Sequence, residues 1–245
     1  IPVQQCLPAW IRNFIVTFNG NTSIIGCNDN VSCYQICSGV HFNRIKRAKV
    51  VHASTWALSR EPCCSAVEQA FKLAQKHGKI ISLDPNYSSQ IWPDYREAKA
   101  VIPHMLSYAT ITKPSRDDAS RLFGRERTPE QYIEHYHQMG PHVVVFTMGA
   151  DGVLLSDGSK LTHIPARPIK AVDATGAGDS FWAGFLVALL DGKPLEYCAL
   201  FAREIVERKL TTVGPFPDNI DRQEIYDLIA DEIEKLEGEQ TRDRR

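Results

Sequence analysis

The sequence predicts an α/β protein, a mainly parallel sheet sandwiched by helices, with a small β hairpin ahead of it. Three observations carry this reading. Short apolar runs of the buried-strand type recur at Val50-Val51-His52-Ala53, Ile80-Ile81-Ser82-Leu83 and Val143-Val144-Val145-Phe146-Thr147. Between them apolar residues return at helical spacing, as at Val67, Ala70, Phe71 and Ala74. Strand and helix alternate, and parallel strands need such crossovers to be joined at all. Ligands of these sheets bind beyond the carboxyl ends of the strands, so the residues following each run are where chemistry is expected.

In chain order, Phe14-Ile15-Val16-Thr17-Phe18 and Asn21-Thr22-Ser23-Ile24-Ile25 flank Asn19-Gly20, the residue pair that supplies the positive φ angles of a tight hairpin turn. Pro62 opens the first long helix, and Gly78 stops it. Residues 93–106 form the next helix, with Pro103 marking a kink or an early end. A strand at Thr110-Ile111-Thr112 precedes a helix capped by Ser115 and running to Leu122, and Pro129 opens another through His137. Gly152-Val153-Leu154-Leu155 and Lys160-Leu161-Thr162-His163-Ile164 pair across Asp157-Gly158. Three helices close the chain, over residues 177–190, 194–209 and 222–236. The last carries Ile225, Leu228, Ile229, Ile233 and Leu236 as its apolar stripe, and residues 238–245 are expected to fray. Two parts follow, a β lid remnant or truncated N-terminal segment over residues 1–41 and the α/β body over 42–245.

The 245 residues suit one large domain, with or without a small appendage. A formal net charge of −1, with Lys and Arg spread along the chain, gives no electrostatic support to a nucleic-acid or membrane-surface partner. No apolar run reaches the ~20 residues of a membrane span. The start, Ile1-Pro2-Val3-Gln4-Gln5-Cys6, has neither a charged leader nor an apolar signal core, so a cytoplasmic location is expected. The seven cysteines lack the paired spacing of a zinc site and read as free structural thiols. His135 and His137 point to different helix faces, which disfavours a metal pair, and Glu196, Glu204 and Glu207 read as solvated. A redox dinucleotide enzyme is disfavoured, because no Gly-x-Gly-x-x-Gly follows a first strand.

The stretch with the most chemistry is Asp173-Ala174-Thr175-Gly176-Ala177-Gly178-Asp179, running into Ser180-Phe181-Trp182-Ala183-Gly184-Phe185-Leu186. Small residues leading into an apolar helical run place unpaired N–H groups and roughly half a positive charge at a helix N-terminus. That end attracts phosphate, and glycines let the backbone approach it. A carboxylate held there, Asp179, points to phosphoryl transfer to a hydroxyl whose proton the carboxylate receives.

This heptad resembles the C-terminal signature Asp-x-Thr-Gly-Ala-Gly-Asp of the ribokinase-like, or PfkB, carbohydrate kinases. Thr147-Met148-Gly149-Ala150-Asp151-Gly152 is similar to their nucleotide-loop pattern, and Leu83-Asp84-Pro85-Asn86-Tyr87, ending at Ile91-Trp92, resembles the Asp-x-Asn segment of fructokinases and ketodeoxygluconate kinases. The resemblance runs from Ala48 to Pro217. It implies a ribokinase-like fold and an ATP-dependent sugar kinase. Asp179 would be the base and the Gly176, Ala177 and Gly178 amides the anion hole. Thr147, Gly149 and Gly152 would line the ATP site, and Asp84, Asn86, Lys113 and Asp179 would meet the sugar. Magnesium would travel mostly with the ATP phosphates, near Asp118. Gly214, Thr175 and Asp173 would lie by the adenine and a monovalent cation such as potassium. A homodimer through lid strands is also implied.

The chain departs from the pattern in three places. The family's Asn-x-x-Glu segment is Ser115-Arg116-Asp117-Asp118, which keeps an acid on a shorter arm. Tyr87 leads to Ser88 and Ser89 rather than an arginine, so a cationic contact would come from Lys113 or Arg60. Nothing before Asn13 resembles the leading sugar-gripping segment, so either the chain is a fragment or other residues grip the sugar. The alternatives are a nucleoside kinase of the same fold and a nucleotide-binding fragment without kinase activity.

Overall fold

The computed structural model describes residues 14–18, 21–24, 42–92, 94–213 and 220–242. Its contacts divide the chain into two compact units, Ile1–Met148 with Ser156–Leu161, and Gly149–Leu155 with Thr162–Arg245.

The first unit is built on strands β1 (Phe14–Phe18), β2 (Asn21–Ile24), β3 (Val50–Ser54), β4 (Ile80–Asp84), β5 (Ile111–Thr112) and β6 (Val143–Thr147). They lie in the order β2-β1-β3-β4-β5-β6. β3 to β6 are mutually parallel, with Ser54 opposite Asp84 and Leu83 opposite Thr112. β1 is antiparallel to both β2 and β3, with Phe18 opposite Asn21. The Asn19-Gly20 turn expected between β1 and β2 lies outside the described residues. Every residue of β3 is buried, including the polar His52 and Ser54.

The helices of this unit are α1 (Phe42–Arg47), α2 (Cys63–Lys76), α3 (Tyr95–Leu106), α4 (Arg116–Phe123) and α5 (Pro129–Met139). The α2 stripe of Val67, Ala70, Phe71 and Ala74 is wholly buried, as its spacing predicts. Ser115 caps α4 through Asp118 N–H, and Thr128 with Gln131 makes a capping box on α5 behind Pro129. α3 starts at Tyr95, capped by Asp94, and runs through Pro103 to Leu106.

The second unit holds all but the last residue of β7 (Val153–Ser156) and all but the first of β8 (Leu161–Ile164), then α6 (Ala177–Leu190), α7 (Leu195–Leu210) and α8 (Arg222–Arg242). Two expectations fail here. Leu228 lies outside the buried stripe of α8, which is formed by Ile225, Ile229 and Ile233. The backbone of α8 also continues to Arg242 instead of fraying after Leu236, and Gly238, a costly residue but not a forbidden one, does not stop it.

Glu204 and Glu207 are a third correction. Neither is solvated. Glu204 and Glu232 pair with Arg167, Glu207 meets Arg167 at 3.2 Å, and Arg203 reaches Glu232 at 2.6 Å. Sequence spacing along α7 could not reveal a guanidinium arriving from the segment after β8.

α6 packs on α7 where Gly184 meets Ala202 and Ile205, and an added Cβ would stand 3.0–3.1 Å from both. A larger side chain has to push the helices apart. Gly184→Val is expected to lower stability by about 2 kcal/mol, read as an earlier midpoint in urea denaturation. An unchanged midpoint would mean that this contact can open at no cost.

Candidate functional site

The predicted residues fall in both units, and each group has its own structure. In the first unit they gather at the carboxyl ends of the parallel strands. Asp84 ends β4 and Lys113 follows β5; both are almost fully buried, with Nζ 3.1 Å from Oδ2. Asn86 accepts the Thr55 hydroxyl at 3.0 Å through Oδ1. Asp118, in the first turn of α4, meets the Ser115 hydroxyl at 2.5 Å and lies 3.6 Å from Arg121. Thr147 ends β6, donates its N–H to Pro114 O and forms a parallel bridge with Ser115. Parallel register brings these side chains together from sequence positions far apart.

Lys113 therefore already has a carboxylate, whereas Arg60 lies exposed ahead of α2. The Tyr136 ring is completely buried, and its hydroxyl has no hydrogen-bond partner among the described residues. Burial, and then the Asp118 and Asp84 charges, push that phenol well above its ordinary range. Burial also pushes the Asp118 carboxyl up, against the opposing pull of Ser115. Tyr136 was not singled out from the sequence; as one aromatic on an amphipathic helix it reads as core.

In the second unit the Asp173–Asp179 stretch forms a turn and a helix start. Gly176 is the N-cap of α6 in the left-handed region, at φ 76°, which a Cβ would strain. Asp179 lies exposed in the first turn. The Ala177 N–H bonds to Ala174 O at 3.1 Å, so that one of the three expected anion-hole amides is engaged within the turn. Asp173 Oδ1 accepts the Thr175 N–H at 2.9 Å, and its Oδ2 lies 3.5 Å from Lys209 Nζ. The Thr175 amide and then Lys209 hold the Asp173 carboxyl below the usual range.

Gly149 and Gly152 flank a single turn of 3-10 helix over Gly149–Asp151, both with positive φ. Space beside Gly149 is open, whereas a Cβ on Gly152 would strike Ile164 O at 2.2 Å. Gly152 is thus required by the backbone packed against it. Gly214 lies outside the described residues.

Among the described residues no group of three or more His, Cys, Asp or Glu could hold a metal ion. The histidines follow suit: His137 bonds Pro141 O and Ser156 Oγ, and His135 packs against Phe123. No described helix is long and apolar enough to cross a membrane. A shallow concavity of about 350 Å³ lies at the opposite, amino ends of β4 to β6, by Lys79, Ser107, Thr110 and His142, away from every predicted residue.

A parallel sheet with polar residues at its carboxyl ends, together with a glycine turn opening a helix, defines a ribokinase-like protein. The model of the pfkB family carbohydrate kinases matches residues 12–215, and the chain belongs to that family. The match begins before Ala48 and takes in the hairpin strands expected as a lid remnant. The chain is 35% identical over 187 residues to an ATP-dependent 6-phosphofructokinase of Thermoanaerobacterium thermosaccharolyticum, covering 75% of this chain and 58% of that one. It is 26% identical to the aminoimidazole riboside kinase of Salmonella enterica, solved with aminoimidazole riboside and an ATP analogue, at a TM-score of 0.63 over 68% of this chain and 59% of that chain. A Vibrio cholerae fructokinase variant, solved with fructose, ADP and potassium, has the same fold at a TM-score of 0.62 and 24% identity, covering 66% of this chain and 54% of that one. The chain spans about half to two thirds of the length of the first curated relatives it matches.

His52 offers a test of the first unit. It is buried in β3, with Nδ1 2.8 Å from Ser82 Oγ, and burial and then the Lys113 charge lower its pKa to about 4. The unfolded chain binds a proton near 6.5, before the folded one does. Stability is therefore complete above about 6.5 and falls as pH drops towards 4, by on the order of 3 kcal/mol. Unfolding free energies measured across that window should slope for the native chain and flatten for His52→Gln. Equal slopes would remove His52 from the account.

Proposed function

We propose that the protein is an ATP-dependent carbohydrate kinase that transfers the γ-phosphoryl group of ATP to a sugar hydroxyl. The observation that carries this reading is the turn into α6, with Gly176 left-handed and the exposed Asp179 carboxylate in the first helical turn. Amides at a helix start meet the charge that spreads over the transferred oxygens, and the neighbouring carboxylate accepts the proton as the hydroxyl attacks. Phosphoryl transfer asks for positioning and charge stabilisation more than for covalent help, so this small set suffices. Gly176 and Gly178 supply amides to the phosphoryl group, joined by Ala177 if its bond to Ala174 opens.

Gly149 leaves room for nucleotide beside its backbone, with Thr147, Gly152, Thr175 and Gly214 as further nucleotide-side residues. Asp84, Asn86 and Lys113 serve the acceptor, whose hydroxyls pair well with a carboxylate, an amide and an ammonium. Magnesium bound to the ATP phosphates would neutralise their charge. Asp118 is the residue suited to orient its water. In this reading residues 1–41 form a lid segment and 42–245 the catalytic body, acting in the cytoplasm, with two copies joined through their lid strands. A nucleoside acceptor is the second reading, favoured by the likeness to the riboside kinase.

ATP-dependent turnover across a panel of sugars and nucleosides checks the class and the acceptor. Asp179→Asn is expected to lower kcat by about 10²–10⁴ while nucleotide affinity stays within a few-fold. A variant that keeps its kcat would remove Asp179 as the base. Nucleotide binding with no turnover on any acceptor would leave a nucleotide-binding fragment without kinase activity.

A further inference from the structure

Lys209 sits in the last turn of α7 with only 8% of its surface exposed. A lysine at a helix C-terminus complements the dipole, yet an ordinary one extends into water. This one is turned inward, and its ammonium lies 3.5 Å from Asp173 Oδ2. The same helix end holds the segment a second way, since Leu210 O accepts the N–H groups of Val172, at 2.7 Å, and Asp173, at 3.4 Å. Asp173 in turn fixes Thr175 through its other oxygen, and Thr175 leads directly into the left-handed Gly176. A chain of contacts thus runs from the Lys209 ammonium to the backbone angle that starts α6.

The resemblance implies a monovalent cation beside Asp173, and the residues present do not fit one. Both carboxylate oxygens already have a donor, and a potassium ion on Oδ2 would stand within a few ångströms of a fixed positive charge. We propose that Lys209 is a positioning residue whose ammonium is the built-in cation of the Asp173–Gly176 turn, so that this turn needs no exchangeable monovalent ion. The proposal rests on the kinase reading only for what the turn finally serves.

The test compares the full chain in potassium, ammonium and tetramethylammonium chloride at equal ionic strength, reading the thermal midpoint and the affinity for a non-hydrolysable ATP analogue. The native protein should show the same midpoint and affinity in all three salts. Lys209→Met keeps the buried stem and loses the charge. Its affinity should fall about five- to tenfold in tetramethylammonium and recover in part with potassium or ammonium, which are small enough to enter. A merely structural lysine would give a loss that no small cation repairs, and that result would overturn the proposal. So would an unaffected Lys209→Met, or native protein whose midpoint rises by several degrees, or whose affinity rises severalfold, with potassium. Should Lys209→Met fail to fold, the salt comparison on native protein still decides. Absence of turnover on every acceptor would count against the kinase reading alone, because neither readout depends on catalysis.

Discussion

The Asp173 carboxylate is the constraint on which the second unit's chemistry depends. A turn ending in a left-handed glycine is one of many conformations open to a small-residue loop, and the entropy of choosing it is substantial. Asp173 selects it by accepting the Thr175 amide on one oxygen and the Lys209 ammonium near the other. The Leu210 carbonyl fastens the same segment from the end of α7. Below it, α6 is held against α7 by the close approach at Gly184, and Trp182 stacks on Phe185 at 5.2 Å. An anion-binding helix start is useful only when its amides already point at the ligand, because reorganisation during the reaction would consume what they contribute. In the proposed reaction, fastening the turn to two helices supplies that preorganisation.

The first unit meets a different cost. Burying Asp84 and Lys113 takes two charges out of water, and a close pair seldom returns more than it loses. The Tyr136 hydroxyl, buried with no hydrogen-bond partner among the described residues, adds a further penalty. His52, held neutral beneath them, belongs to the same polar patch inside an apolar core. A sheet chosen for stability alone would carry aliphatic residues here, as it does at Val51, Ala53, Ile81 and Leu83. The polar residues cluster at the carboxyl ends of the strands, where a parallel sheet can offer side chains from several strands to one ligand.

Elements whose signal is local were readable from the sequence. The hairpin strands around Asn19-Gly20, the Ser115 cap, the helix opened by Pro129 and the run from Val143 to Thr147 each depend on neighbours within a few residues, and each appears where expected. The heptad was legible because its small residues specify a backbone shape. What the sequence could not show depends on partners from elsewhere in the chain. Glu204 and Glu207 look like solvated helix residues until Arg167 arrives from the segment after β8. Lys209 looks like a helix-terminal charge until Asp173 is folded against it. Gly152 looked like a phosphate-loop glycine, and the Ile164 carbonyl supplies a packing reason that has nothing to do with ligand.

Three aspartates show how environment divides one functional group among several tasks. Asp84 is buried and neutralised by Lys113, so it is suited to hold a fixed hydrogen-bonding geometry. Asp118 is pushed up by burial and tied to Ser115, which restrains its arm. Asp179 is exposed in the first turn of α6. A group that must receive a proton from an incoming hydroxyl has to be reachable and ionised beforehand. A carboxylate already spent on an internal partner would have to break that contact first. Of the three, only Asp179 is exposed at a helix start, and this physical difference, as much as the motif, makes it the acceptor in the proposed reaction.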